Sequence, residues 1–246
     1  MLLSVIIPTY HEEAFLGRTL EAVYQRAVSC IPEVIIVDAG SSDRTAAIAR
    51  QYPVTLVVDA ALRGKKWQSL NRGAAAAQGE VYLFLDADTQ VPDGYDRAIF
   101  QCLQQAAVVG GAFEFAFDEQ GWAYGFITLI NRGRYRMRQR YYGDQGIFVR
   151  QDTFIQAGGW PARDILEAAY LCKNLRTYGR LQLIPLCIKT STRRFAAGGI
   201  VKVFLLDMGI WWMDTLGLNT EQFAKRYWQQ NEQRQNEDER RSEPTS

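Results

Sequence analysis

Histidine is almost missing from this chain: His11 is the only one in 246 residues. Without a second, neither a histidine-ligated metal centre nor a Ser–His–Asp relay is expected. Cysteine is sparse and scattered. Cys30, Cys102, Cys172 and Cys187 show no paired metal spacing, and three of them, in apolar surroundings, read as buried thiols of a reducing cytosol. No run reaches the ~18 apolar residues that a membrane span needs. The opening MLLSVIIPTY has no basic n-region and is closed by Pro8, so a first β-strand is expected there and not a signal peptide. Net charge is +1, too small for a global field that would gather nucleic acid or an acidic substrate. Two nucleotide fingerprints are also missing. No G-x-G-x-x-G follows the first apolar run, and RGKKWQSLNRG (63–73) lacks P-loop spacing.

What is present is an ordinary globular balance, 48% hydrophobic and 22% charged. The length suits one α/β domain, alone or with a helical appendage. Apolar runs at Leu3–Ile7, Val34–Val37, Val54–Val58 and Val81–Leu85 read as strands buried on both faces. Helical spacing separates them: Leu16, Leu20 and Val23; a helix through Ala49 capped by Ser42; Trp67, Leu70 and Ala74; then Tyr95, Ile99 and Cys102. Repeated βαβ units imply a parallel sheet, which binds ligands at the carboxyl ends of its strands. After residue 107 the alternation stops. An aromatic stretch (Trp122–Ile130) and arginines 132, 134, 136, 138 and 140 follow, the arginines reading as a solvated basic surface. A strand at Gly146–Val149, a helix around Leu166–Leu175 and a strand near Leu181–Ile184 come next. Ile200–Leu218 is an apolar segment that docks within the protein or lies in a membrane interface. Residues from 231 on read as a frayed polar tail.

Four segments carry chemistry. In FLDADT (84–89), Asp86 and Asp88 stand just past a strand on an expected exposed loop, where two carboxylates can share one hard divalent cation with a diphosphate. In VDAGSSDRT (37–45), Asp38 is an acceptor for a nucleobase or ribose, while Ser42, Asp43 and Thr45 are explained by capping. PTYHEE (8–13) offers the Tyr10 ring for stacking and Glu12 as an acceptor. In RGKKW, Arg63 suits a phosphate, while Lys65 and Lys66 read as solvated.

SVIIPTYHEE, VDAGSSDRT, RGKKWQSLNRGAAAAQGE and YLFLDADT, in that order, resemble the donor half of family 2 glycosyltransferases. YGDQGIFVR, FIQAGGWP and LEAAYLCKNLRTYGRL continue the likeness, over roughly residues 2–190, to a small soluble bacterial branch. The resemblance implies a GT-A-like (Rossmann-like) α/β fold, a mostly parallel sheet flanked by helices with a C-terminal helical extension. It implies an inverting transfer from a nucleoside-diphosphate sugar, expected of the UDP type, with Mg²⁺ or Mn²⁺. Donor binding falls to Pro8, Tyr10, Glu12, Asp38, Arg63 and Asp86, and metal binding to Asp88 and Asp86. The expected organisation is a domain over 1–198 (donor half 1–107, acceptor half 108–198), an extension over 199–230 and a tail over 231–246. The expected location is cytoplasmic, with the inner membrane face as the alternative. The acceptor is unnamed, and a lipid-linked one stays open.

One departure stands out. Where the family commonly has Glu-Asp, with the Asp as general base, this chain has Glu167-Ala168. Glu167 and Asp144 are then the candidate catalytic carboxylates. Ala168 also keeps open a nucleotide-sugar-binding protein without efficient catalysis. A nucleotidyltransferase would share the sheet, but its glycine-rich basic first loop is missing after Pro8.

Overall fold

The β-branched runs assemble as expected, and their edges are set by turns. The computed structural model describes residues 1–138 and 140–220; the expected tail and the last ten residues of the expected extension lie outside them. The strands are β1 (Leu3–Thr9), β2 (Glu33–Asp38), β3 (Val54–Val58), β4 (Val81–Phe84), β5 (Thr89–Gln90), β6 (Val108–Phe117), β7 (Ile147–Arg150) and β8 (Arg180–Thr190). The α-helices are α1 (Leu16–Gln25), α2 (Thr45–Ala49), α3 (Lys66–Ala76), α4 (Tyr95–Leu103), α5 (Trp122–Arg138), α6 (Gln151–Gln156), α7 (Glu167–Leu175), α8 (Arg193–Gly198) and α9 (Ile200–Thr215).

One sheet runs in the order β3-β2-β1-β4-β7-β6-β8-β5. β3, β2, β1 and β4 are parallel. β7 then pairs antiparallel with both β4 and β6, β8 is parallel to β6, and β5 is antiparallel to β8. The four strands β1 to β4 are therefore parallel as expected, and the whole sheet is mixed. The carboxyl ends of β1, β2, β4 and β8 and the amino end of β7 share one edge. Leu3, Val5, Ile7, Val34, Ile36, Val81 and Leu83 are fully or almost fully buried in the core with Leu16, Leu20 and Tyr95. Val54–Val58, expected to be buried on both faces, forms the sheet edge and leaves Val58 exposed. Of the cysteines, Cys102 and Cys172 are buried, Cys30 is half-buried and Cys187 exposed, so only two are wholly interior.

β6 is the element the composition hid. Its Gly110-Gly111 pair argues against a strand by propensity, yet it is required by close approach. A Cβ on Gly111 would meet the Gln182 carbonyl of β8, with the Phe148 ring at 2.7 Å. Gly111→Ala should therefore destabilise by about 1–3 kcal/mol and lower Tm by several degrees, read by calorimetry against the parent; an unchanged Tm would mean that the two strands separate freely.

The aromatic stretch and the first four of the arginines that follow it fold into α5. Arg132 and Arg136 reach the buried carboxylate of Glu114 on β6, and Tyr135 donates to the same group. They are not simply a solvated surface: the helix is fastened to the sheet through them.

The contacts divide the chain into two units. One holds residues 1–162 and 166–193; the other holds 163–165 and residues from 194 on. In the second, Arg194 pairs with Asp207, and α9 exposes Val201, Leu205 and Trp212 along one side. Among the described residues, no helix is long and apolar enough to cross a membrane.

Candidate active site

Parallel strands deliver their following loops to a common edge, and four carboxylates meet there. Glu12 follows β1, Asp86 and Asp88 follow β4, and Glu167 opens α7. Two cations of the chain stand between them. Lys66, the first residue of α3, puts its ammonium 2.6 Å from Asp86 and 3.9 Å from Glu167. Arg193, just past β8, grips Glu12 through both terminal nitrogens at 2.6 and 2.7 Å. Its Nε lies 2.9 Å from Asp88. Gly143 closes the cluster: a Cβ there would be 3.2 Å from Lys66 Nζ, 3.7 Å from Asp86 and 3.9 Å from Glu167.

The electrostatics follow from this crowding. Burial pushes the Glu12 carboxyl above its usual value, Arg193 opposes that, and the charges of Asp88 and Asp86 reinforce it. Asp88 is likewise raised, first by burial, against the pull of Arg193. Burial works against charge on Lys66, but Asp86 and Glu167 outweigh it and hold the ammonium above the usual lysine range. The Asp88 side chain is only 10% exposed. The expectation of an exposed acidic loop is thus corrected, because Arg193 folds over it.

The residues expected at the nucleoside are tied into one corner. Tyr10 stacks on His11 at 4.1 Å between centroids, and the Arg63 guanidinium lies 4.8 Å from the Tyr10 ring centre. Asp38 is 1% exposed and accepts from Thr9 Oγ1, the Ser41 amide and Ser41 Oγ. Ser41, Asp43 and Thr45 in turn accept the amide protons of His11, Glu13 and Glu12. Ser42 does not cap α2; Arg44 occupies the cap position, and Ser42 pairs with His11 Nε2 instead. Pro8 is the penultimate residue of β1, paired with Val37.

On the opposite side, the turn Gly143–Gln145 is held by Gln145, which accepts from the Tyr142 amide and donates to the Phe113 carbonyl. Asp144 lies half-buried in that turn, its carbonyl accepting from Thr190 Oγ1. Ala168 is buried. Asn71 on α3 acts as a surrogate strand, accepting from the Trp160 amide and donating to its carbonyl. A cavity of about 320 Å³ lined by Arg136, Tyr141 and Arg180 lies near the amino ends of β6 and β8, away from the carboxylates.

Two members of the cluster were missed from sequence. Lys66 was visible in RGKKW, but only the phase of α3 separates it from exposed Lys65. Arg193 had no local signal, standing 105 positions after Asp88.

Among the described residues, no group of three or more His, Cys, Asp or Glu side chains is arranged to hold a metal by itself. Two carboxylates nevertheless fit a hard cation that takes its other oxygens from a diphosphate and water. Asp86 and Asp88 are the oxygen donors present.

The model for Glycosyl transferase family 2 matches residues 4–156. The chain is 27% identical over 200 residues to an undecaprenyl-phosphate 4-deoxy-4-formamido-L-arabinose transferase of Serratia proteamaculans, covering 78% of this chain and 56% of that one. It spans about half the length of the curated relatives it matches. In fold it is similar to a mannosyltransferase of Pyrobaculum calidifontis in complex with GDP-Man and Mn²⁺ (TM-score 0.61, 22% identity, 76% of this chain and 56% of that). It is also similar to glucosyl-3-phosphoglycerate synthase of Mycobacterium tuberculosis in complex with Mn²⁺, UDP and glucosyl-3-phosphoglycerate (TM-score 0.59, 16% identity, 89% and 81%).

Proposed function

The chain belongs to glycosyl transferase family 2, and from that premise we propose an inverting, metal-dependent transfer of a sugar from a nucleoside-diphosphate sugar to a hydroxyl of a lipid-linked acceptor. The observation that carries it is the carboxylate cluster at one sheet edge, with Asp86 joined to Glu167 through Lys66. Asp86 and Asp88 would hold Mg²⁺ or Mn²⁺, which supplies charge neutralisation on the departing diphosphate. Structures of similar fold carry Mn²⁺ with GDP-Man or UDP, which supports a metal and leaves the base to be measured; a UDP-type donor is our choice. That the acceptor is a lipid is supported by the undecaprenyl-phosphate transferase relative; the hydroxyl is our choice.

The chain's own residues do the rest. Tyr10 holds the nucleoside, Asp38 fixes from beneath the Thr9–Ser41 corner that receives it, Pro8 shapes the loop, and Glu12 and Arg63 face ribose and diphosphate. Glu167 takes the acceptor proton as the glycosidic bond forms, with Asp144 as the other carboxylate on that side. Lys66 keeps Asp86 and Glu167 in one arrangement.

Buried Ala168, where the resemblance calls for an aspartate, favours a second reading: a nucleotide-sugar-binding protein without turnover. Thermal shift with UDP and GDP sugars, with and without Mn²⁺, tests donor binding. A ligand at 100 times its Kd stabilises the fold by about 2.7 kcal/mol. Release of the nucleoside diphosphate separates the readings: binding with release supports transfer, binding alone supports the second, and neither would end both.

A further inference from the structure

His11, the only histidine of the chain, stands in the left-handed region at φ 54°. A side chain adopts that conformation at a cost, so neighbouring contacts must hold it there. Two residues of the loop after β2 do so. Ser41 Oγ accepts the His11 amide at 2.9 Å, and the Ser42 amide donates to His11 Nε2 at 3.1 Å. Ser41 is itself fixed on buried Asp38. The imidazole lies against the Tyr10 ring at 4.1 Å between centroids, with 22° between the planes. A ring nitrogen that accepts from an amide carries no proton. This contact therefore requires the neutral imidazole, with its hydrogen on Nδ1.

We propose that His11 is a positioning residue for the nucleoside: its neutral ring backs Tyr10, and its protonation loosens the corner. Protonation turns Nε2 from an acceptor into a donor and sets it against the Ser42 N–H. The ring then loses its anchor, and Tyr10 loses its backing. That Tyr10 receives a nucleobase rests on the function proposed above; the contact between the two loops does not.

The charges around the ring do not replace that bond. Asp43, in the loop that carries Ser42, is the carboxylate that feels the ring's charge, and it attracts an imidazolium. It is already engaged, accepting the Glu13 amide through Oδ2 and the Thr45 amide through Oδ1. Glu13 accepts the Arg44 amide, and Glu12 is gripped by Arg193. Arg63, 4.8 Å from the Tyr10 ring centre, repels an imidazolium. None of these groups accepts from the Ser42 amide, which donates to His11.

Imidazole nitrogen NMR of the full chain reads the loop contact without any ligand, and a single histidine leaves its signals unambiguous. The Nδ1–H tautomer is expected, with the Ser42 amide resonance moving as the ring is protonated. Calorimetric affinity for UDP without metal reads the effect on the nucleoside. It should fall by about three- to tenfold, what one hydrogen bond contributes, between about pH 8 and about pH 5.5. His11→Gln should stay within a few-fold of the parent at the higher pH and show a flat profile. Glutamine carries an amide oxygen at the reach of Nε2 and does not titrate. His11→Phe, which stacks and cannot accept, should bind UDP less well than the parent at the higher pH. A flat parent profile, or the parent's profile persisting in His11→Gln, would overturn the proposal. An Nε2–H tautomer with normal UDP binding overturns the role of His11 alone. No binding of UDP or GDP at any pH, with the Nδ1–H tautomer present, overturns the nucleoside reading and this role with it.

Discussion

Glu167→Gln is expected to reduce sugar transfer by about 10²–10⁴-fold, the usual contribution of a positioned base, while donor affinity stays within a few-fold. Glutamine keeps the shape of the side chain and cannot accept a proton, so chemistry and binding separate. Glu167 is the stronger of the two candidates because the structure joins it to Asp86 through Lys66. If Asp144 is the base, the same loss belongs to Asp144→Asn. Ala168→Asp is the complementary variant. It should add little to an enzyme that uses Glu167, and should create turnover in a protein that only binds donor. The readout is nucleoside diphosphate release beside calorimetric donor affinity. Should neither carboxylate matter to a measured transfer, both are structural and the base assignment is wrong.

Asp88→Ala should remove the Mn²⁺-dependent part of nucleoside diphosphate binding. Losing a partner that only supports a ligand already costs about 10–100-fold in metal affinity, and a ligand itself should cost more. Direct metal titration by electron paramagnetic resonance reads the effect without any turnover. Arg193→Gln should move the same titration the other way by about tenfold, because it removes a competing cation from Asp88; charge-assisted hydrogen bonds contribute about 1.5–3 kcal/mol. The low end is expected because the guanidinium is 41% exposed and water screens it. The pH dependence has a definite sign. Burial holds the Asp88 carboxyl above its ordinary value of 3.8. Mn²⁺ affinity should therefore start to fall, as pH is lowered, before an unperturbed aspartate would protonate. Unaltered Mn²⁺ dependence in Asp88→Ala would remove the acidic pair from the metal site.

How much of this could be read from sequence depended on the range of the forces involved. Val34–Val37 and Val81–Leu85 were legible because a strand buried between helices must be apolar at every position, and that pattern is local. The edge position of Val54–Val58 was not, since the same residues suit an inner strand. β6 was hidden because its glycines answer to the Gln182 carbonyl and Phe148 ring, partners distant in sequence. In the site, Asp86 and Asp88 announced themselves by spacing. Their counter-ions did not: ion pairing acts through space, and nothing around Arg193 points to Glu12 or Asp88. The corner built from His11, Ser41, Asp43 and Thr45 shows the converse. Asp43 and Thr45 were explained by capping, yet they accept the amides of Glu13 and Glu12 in a neighbouring loop, Asp43 while also accepting the Thr45 amide.

The seam between β4 and β7 governs where the fold tolerates insertion. It is one antiparallel ladder of four residue pairs, from Val81↔Arg150 to Phe84↔Ile147, and it reverses the chain direction at the middle of the sheet. Strands on one side present their exits to the common edge, while β7 presents its entrance there. Residues inserted before Ile147 lengthen a loop at that edge without shifting the pairing of β1, β2 or β4. That entrance can therefore change in length or sequence while β1, β2 and β4 keep their register.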